Sequence, residues 1–397
     1  MKAVGIHDFS IICSLGSQLT DIWNKTESSD ILAMEENSSY LNGEKTYIGR
    51  VKSKFPNLEE TFSSFDYRAN RLLKATMQSI FNKYKQLVKS VPAHRIGVIL
   101  GTSTAGIDSL EKAIPYYDIH KKWPESYEVH HQRMGGVSEF LAQYLNVTGP
   151  VMSVSTACSS SAKAMISAQR WINTDICDVV ITGGVDVLCE LTIKGFNSLG
   201  AISNDRCQPF SQNRKGINIG EAAALFIFKK DTDQLNMLAG GESSDAYHIS
   251  APDPTGKGAY NCMQLALNNA RLDASEIDYL NLHGTATLQN DAMESLAVNQ
   301  LFDHSVYCSS TKPLTGHTLG AAGALEIGLS ALSMSDFNVN GNYIPHMYDG
   351  KYDSQLAPLN LIKENNQLGV PETIMSNSFA FGGSNASIVL SKSNKYV

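Results

Sequence analysis

Val151-Met-Ser-Val-Ser-Thr-Ala-Cys158-Ser-Ser-Ser-Ala-Lys-Ala-Met165 is the stretch on which the reading of this chain turns. An apolar, β-branched run ends in Ser-Thr-Ala, a cysteine follows, and small residues then open a helical pattern. Ala162, Met165, Ile166 and Ile172 recur at helical spacing, which places Cys158 at or beside the first turn of a helix that follows a strand. Unpaired backbone N–H groups and the positive end of the macrodipole meet there, and both favour thiolate over thiol. Cys158 is therefore a candidate nucleophile. The alternative is a small core residue, the usual fate of a free cysteine.

Moving outward, the same grammar repeats on both sides. A short strand (Ala3 to Ile6) and loop-rich sequence precede a helix over about Phe65 to Val88, which carries Arg68, Arg71 and Lys74 as a basic stripe. Such a stripe is a solvated face or a docking site for an acidic partner. Arg95 to Leu100 reads as a buried strand ending in a tight turn, Gly101 to Gly106, whose glycines are too widely spaced for a dinucleotide fingerprint. Residues 107–135 read as irregular, and the adjacent His130 and His131 make a poor joint metal site. Asp178 to Asp186 and Ala223 to Phe228 are further strands, and the polar sequence over 229–245 reads as a join.

The second half offers a helix (Cys262 to Ala270), a strand (Ile277 to Leu282) ending at His283-Gly284, and a helix (Asp291 to Leu301). A strand from Val306, the loop Ser310 to His317 and a small-residue helix (Leu319 to Leu332) come next. The strand Thr373 to Ser376, a turn over Asn377 to Asn385 and the strand Ala386 to Leu390 close the chain. Strands alternating with helices in two similar halves predict a layered, duplicated α/β protein.

The 397 residues, 43% hydrophobic and 18% charged, suit a compact globular protein with a large core. The net charge of −7 supplies no basic excess for a nucleic-acid binder. Seven cysteines without close pairs or zinc spacing form neither a disulfide framework nor a metal site, and imply a reducing compartment. A charged N-terminus where a signal peptide needs its apolar segment, and no membrane-length apolar run, lead to the expectation of a cytoplasmic, soluble protein.

In open α/β sheets ligands bind beyond the carboxyl ends of strands. Cys158 and His283 both follow strands directly, and His317 lies in a loop one strand later. A cysteine with two histidines suits carbon–carbon chemistry on thioesters. The thiolate accepts an acyl group from another thioester, and two neutral imidazoles donate N–H to the enolate oxygen of a second. A cysteine protease would have no use for the second histidine loop. Lys312 shares that loop and is a surface charge or a group that tunes the site. Glu326 and Glu294 are the carboxylates within sequence reach. In Phe379-Ala-Phe381-Gly-Gly, an aromatic before two glycines can swing, and its backbone N–H can serve an oxyanion; the alternative is a plain strand-joining turn.

Ser-Thr-Ala-Cys158-Ser-Ser, Pro209 to Gly216, His283-Gly-Thr-Ala-Thr287, Thr311-Lys312 through His317 to Gly323, and Asn377 to Asn385 follow one another in an order that resembles the elongating β-ketoacyl-(acyl carrier protein) synthases. The resemblance spans nearly the whole chain. It implies an α/β thiolase-like fold, two duplicated halves (1–235 and 236–397) in five layers, α-β-α-β-α, assembled as a dimer across the first half. It implies decarboxylative condensation of an acyl group on Cys158 with malonyl-carrier, assisted by His283 and His317. Lys312 with Glu326 would support the histidines, and Glu294 would be a structural carboxylate. Thr285 and Thr287 would meet the phosphopantetheine arm, and Phe379 and Gly382 would be further substrate-binding residues. Phe381 would gate the site, its N–H joining that of Cys158 in an oxyanion hole.

No cofactor or metal bound by the enzyme itself is implied, only substrates carried on the phosphopantetheine of an acyl carrier protein. Arg68, Arg71 and Arg206 would dock that carrier. Ala380 stands where the common pattern has glycine, Leu288-Gln-Asn290-Asp291 replaces Pro-x-Gly-Asp, and Pro313 follows the lysine. These departures point towards specialised type II pathways such as aryl-polyene assembly, with a homodimer or a heterodimer with a cysteine-less ketosynthase-like subunit. Rival readings are a coenzyme A-dependent thiolase and a chain-length-determining partner without its own condensing activity.

Overall fold

Every side chain from Val179 to Asp186 is buried, and so is every side chain from Ala322 to Ser333. A strand covered on both faces and a helix covered all round must lie inside a stack of layers. The computed structural model, which describes residues 2–231 and 233–392, is such a stack. Its first half comprises β1 (Val4–Ile12), α1 (Leu19–Glu27), the short β2 (Glu35–Asn37) and β3 (Thr46–Gly49), α2 (Arg68–Val88), β4 (Ile96–Gly101) and α3 (Ile107–His120). There follow α4 (Gly136–Tyr144), β5 (Val151–Val154), α5 (Ser160–Asn173), β6 (Val179–Asp186), α6 (Glu190–Ser198), β7 (Ile219–Gly220) and β8 (Ala222–Lys229). The second half comprises β9 (Asn236–Ser244), α7 (Lys257–Ala270), β10 (Tyr279–Asn281), α8 (Leu288–Phe302) and β11 (Tyr307–Ser309). Then come α9 (Lys312–Thr315), α10 (Ala322–Ser333), β12 (Asn360–Leu361), β13 (Thr373–Ala380) and β14 (Ser384–Ser391).

The strand order is β12-β11-β10-β13-β14-β9-β1-β8-β6-β4-β5. Outward from the β9–β1 seam the two halves are wired alike. β1 is antiparallel to β8 and β8 to β6, after which β6, β4 and β5 run parallel. β9 is antiparallel to β14 and β14 to β13, after which β13, β10 and β11 run parallel. The seam itself is short, pairing Val4 with Met237 and Gly5 with Asn236.

Side-chain alternation along β8 shows how the layers form. Ala222, Ala224, Phe226 and Phe228 face a central core with α5 and α10; Ala223, Leu225 and Ile227 face an outer core with α2 and α4. A third core joins α7 and α8 to the far face of the second half, through Met263, Val298 and Met375. The layers are thus α2/α4, sheet, α5/α10, sheet, α7/α8. Small residues let the central helices approach so closely: a Cβ on Gly323 would lie 2.9 Å from Cβ of Ala162, and one on Gly101 only 2.2 Å from the Ser161 nitrogen.

Three local expectations are corrected. The stretch 107–135 is not irregular throughout, since α3 occupies Ile107–His120 with Pro115 inside it. Ile114, Tyr117 and Ile119 face outward, so the helix lacks the amphipathic signal that burial would have imposed. The polar join over 229–245 contains β9, a strand flanked by β14 and β1. Its Gly240 and Gly241 have low strand propensity but are required, because Cβ atoms there would fall 2.4 Å from Ile166 and 2.1 Å from the Cys262 carbonyl. The turn over 377–385 is tighter than expected, with β13 running to Ala380 and β14 starting at Ser384.

Gly101→Ala forces backbone against backbone at the start of α5, so we expect a loss of about 1–3 kcal/mol in stability. Urea unfolding of the variant checks this; an unchanged midpoint would show that the layers can part.

Candidate active site

Cys158 sits between β5 and α5, just ahead of the helix cap Ser159. The chain turns into the helix through Ala157, held at φ +52°, a left-handed conformation that an alanine adopts only under restraint. Ser160 supplies the restraint: its hydroxyl donates to the Ala157 carbonyl at 2.6 Å and accepts from the Thr156 N–H at 2.9 Å. The turn aims the cysteine at the second half, where its Sγ lies 2.9 Å from Nε2 of His317. Cys158 is 4% exposed. Burial pushes its thiol up to about 12, against the opposing pull of the Lys312 charge and the Phe381 backbone N–H. The thiolate expected at the helix terminus is therefore corrected to a neutral thiol hydrogen-bonded to an imidazole, because desolvation outweighs the charges that favour the anion.

His283 follows the end of β10 and His317 follows α9. The Cys158 sulfur and a ring nitrogen of each histidine lie within 4.8 Å of one another, and the two rings meet edge to face at 5.2 Å. Burial, reinforced by the nearby Lys312 cation, holds both imidazoles well below the ordinary histidine range, so both are neutral at pH 7. Their orientation is fixed through the backbone. Glu294 accepts from the His283 and Gly284 N–H groups, each at 2.7 Å. Lys312 donates to the His283 carbonyl and, at 2.5 Å, to Glu326. Lysine and glutamate are 1% and 2% exposed, so each would be an uncompensated buried charge without the other.

A cavity of about 470 Å³ opens from this cluster. Thr285, Thr287, Phe379 and Phe381 line it with Cys158 and both histidines. The Phe381 N–H faces the Cys158 sulfur, and its ring packs against Phe196 of α6 at 5.3 Å. Gly382 is not among the lining residues; it lies at φ +81° and donates its N–H to the Ile249 carbonyl. Ala380 has φ −108°, an extended conformation open to any residue. The arginines and Lys74 do not form a free cationic array. Arg68 makes two hydrogen bonds to the fully buried Glu221, Arg71 pairs with Asp66 and Lys74 with Glu59. Arg206 stacks over the Tyr47 ring at 4.5 Å and donates to the Met34 carbonyl.

Sequence reasoning missed Asp186, although a carboxylate at the carboxyl end of a buried strand was a signal in plain view. Fully buried, it accepts from Thr102, Ser103 and Thr104 in the loop after β4 and from the Gly320 N–H at 2.6 Å. It ties the first half to the segment just after His317.

The chain matches the β-ketoacyl synthase N-terminal domain over residues 20–234 and the β-ketoacyl synthase C-terminal domain over 237–342. It belongs to the β-ketoacyl synthase family. Among curated relatives, a 3-oxoacyl-[acyl-carrier-protein] synthase 2 of Rhizobium meliloti is 33% identical, covering 74% of this chain and 73% of its own. Nodulation protein E of the same species is 30% identical, covering 94% and 95%. Among solved structures, the ketosynthase ApeO in complex with its chain length factor ApeC from Xenorhabdus doucetiae matches at 37% identity over 98% of each chain, with a TM-score of 0.92. A β-ketoacyl synthase from Burkholderia phymatum matches at 25% identity over 99% and 100%, with a TM-score of 0.89. The thiolase-like layering is thus that of the β-ketoacyl synthases, and Cys158, His283 and His317 fall at its centre.

Two measurements test this geometry. Alkylation of Cys158 by iodoacetamide is expected to keep rising about tenfold per unit from about pH 7 to 9, since a thiol at about 12 does not saturate there; a plateau near pH 7 would reinstate the thiolate. Asp186→Ala leaves buried donors unpaired on both halves, and we expect a loss of about 3 kcal/mol or more in urea unfolding, with slower Cys158 alkylation.

Proposed function

We propose that the protein is a 3-oxoacyl-carrier synthase. Cys158 takes the acyl group of one carrier thioester and passes it to the α-carbon of malonyl-carrier, giving 3-oxoacyl-carrier and CO2. The observation that carries this reading is the meeting of one sulfur and two neutral imidazoles in a buried cavity. In the first stage the thiol proton passes to Nε2 of His317 as the sulfur attacks the thioester carbonyl, and the carrier thiol leaves with a proton. The tetrahedral oxyanion is received by the N–H of Phe381 with that of Cys158. Acylation removes the thiol proton that Nε2 of His317 accepted, so the ring can take the Nε2–H tautomer, and both neutral rings then donate to the thioester oxygen of malonyl-carrier. As CO2 leaves, the electron pair moves into an enolate that these donors stabilise. The enolate carbon then attacks the acyl-cysteine, and the departing thiolate takes up one proton from solvent by way of His317, which restores the resting thiol. A charged imidazolium would bind the enolate more tightly and make it a poorer nucleophile.

A coenzyme A-dependent thiolase needs a second sulfur at the reacting centre. Among the described residues lining the cavity the only sulfur is that of Cys158, and Cys308 is buried elsewhere, against the Asn360 carbonyl. A non-condensing chain-length partner has no need of the Cys158–His317 contact. We assign the substrates to phosphopantetheine carriers, with a further ketosynthase-like subunit as the second partner. The likeness to a ketosynthase solved with its chain length factor supports that partner, as does β5, an edge strand with Val151 and Met152 exposed. The departures at Leu288, Pro313 and Ala380 favour a specialised pathway of aryl-polyene or polyketide type.

Incubation with an acyl-carrier thioester is expected to add the acyl mass to Cys158, and malonyl-carrier should then discharge it as 3-oxoacyl-carrier. The Cys158→Ala variant should form no adduct and no condensation product. Condensation by that variant, or acylation without any discharge, would sink the assignment.

A further inference from the structure

His346 is a buried histidine outside the reacting cluster, and its ring is spent on two backbone groups of different segments. Nδ1 lies 3.1 Å from the Ser310 nitrogen, and Nε2 lies 3.0 Å from the Pro209 carbonyl oxygen. An N–H can only donate and a carbonyl can only accept, so these partners admit one form of the ring, neutral with its proton on Nε2. Burial holds the ring down to about 4, against the opposing pull of the Pro209 carbonyl. The imidazole thus ties the Pro209-Phe210 segment to the start of the loop that carries Lys312 and His317.

Those two segments meet again at Gly284, directly after His283. Gly284 lies at φ +37°, and a Cβ there would fall 2.6 Å from Cβ of Ser310 and 3.1 Å from the Phe210 ring. The Ser310 hydroxyl donates to the Gly284 carbonyl at 2.8 Å and accepts from the Lys312 N–H at 3.3 Å. Phe210 is fully buried and held at φ +62°, a conformation that a bulky residue adopts only under restraint. His346 fixes the peptide oxygen before it, and Asp291 accepts its N–H at 2.8 Å. Nδ1 of His283 has no hydrogen-bond partner among the described residues, so that ring takes its angle from its own backbone and from packing. The turn at His283-Gly284 is therefore gripped by two segments that one imidazole holds together.

We propose that His346 is a positioning residue for His283 and acts through Ser310: Nδ1 fixes the Ser310 N–H, and Ser310 fixes the turn that aims the His283 ring. The functional consequence rests on the condensation reading above. His317 takes the thiol proton in the first stage, whereas His283 is needed only when the malonyl thioester becomes an enolate. His317 also has anchors of its own, since its N–H donates to the Asn218 carbonyl at 2.7 Å and its carbonyl accepts from the Gly220 N–H at 3.0 Å. A loosened Ser310 therefore slows the second stage and spares the first. His346 itself does not line the cavity.

The test follows acylation of Cys158 by acyl-carrier and its discharge by malonyl-carrier as separate rates, in the wild-type enzyme, His346→Ala, His346→Asn and His346→Gln. His346→Asn can put an amide oxygen where Nδ1 stands, and His346→Gln an amide nitrogen where Nε2 stands. His346→Ala should slow discharge about tenfold or more and leave acylation within about twofold of the wild type. His346→Asn, which keeps an acceptor for Ser310, should recover most of the discharge rate, and His346→Gln should recover little. Equal slowing of both stages, no slowing of either, or recovery by His346→Gln as good as by His346→Asn would overturn the proposal. Should His346→Ala not fold, the contrast between the two amide variants decides alone. If the wild-type enzyme does not condense, the functional reading fails, and NMR decides the positioning separately. Long-range proton–nitrogen correlation should place the His346 proton on Nε2, and His346→Gln should shift or broaden the His283 ring signals more than those of His317. A proton on Nδ1, or His283 signals that move no more than those of His317, would end the proposal.

Discussion

Sγ of Cys158 meets Nε2 of His317 because two helices built of small residues can lie against each other between two sheets. Gly101 beneath α5 and Gly323 against Ala162 leave no room for a methyl group, and the Ser161 hydroxyl accepts from the Ala324 N–H at 2.9 Å across the gap. Widen that contact and the nucleophile and its base part company, since each is delivered by a different half of the chain. The close approach is therefore a catalytic constraint as much as a packing one.

Deep burial of the cluster has electrostatic consequences that work together. Desolvation keeps the thiol protonated and the imidazoles neutral. Charge is then present in the site only while bonds are being made, which is when preorganised donors are worth most. The Lys312–Glu326 pair supplies a fixed positive end close to the reacting groups, and its carboxylate prevents a net charge from being stranded in the interior. Asp186, Glu294 and Asp291 extend the same pattern. Each is a fully buried carboxylate whose oxygens accept backbone N–H groups of the loops that carry the site. The loops are stiff because the ends of their peptide groups have nowhere else to bond.

Duplication gives the fold, but the two copies are used differently. The first supplies the sulfur, from the turn between β5 and α5; the second supplies both imidazoles, from the segments after β10 and β11. In each half the chemistry stands at the carboxyl ends of parallel strands, where the chain leaves the sheet and its side chains can converge. Among the outer helices, α8 reaches the site through its first turn and Glu294. With α6 and the segments around 199–217 and 245–252, that turn forms the walls and mouth of the cavity.

The alternation of strands and helices, the doubling of the pattern, and the sulfur and two histidines were legible in the residues, because periodicity and turn chemistry are local properties. Lys312 and Glu326 could be read only as alternatives, since a lysine looks the same in sequence whether its charge meets water or a buried carboxylate. Arg68 shows the limit most clearly. Its stripe is a genuine helical face, yet the partner that neutralises it, Glu221, lies 153 residues away. The helix at 107–120 and the strand at 236–244 were obscured for opposite reasons, one lacking a buried face and the other made glycine-rich by its neighbours. The order of residues determined which groups this protein owns and on what local elements they ride. Only the packing of one half on the other decided the proton on Cys158, the neutrality of the imidazoles and the course of the cavity, because those depend on what excludes water, and that is a property of contacts distant in the chain.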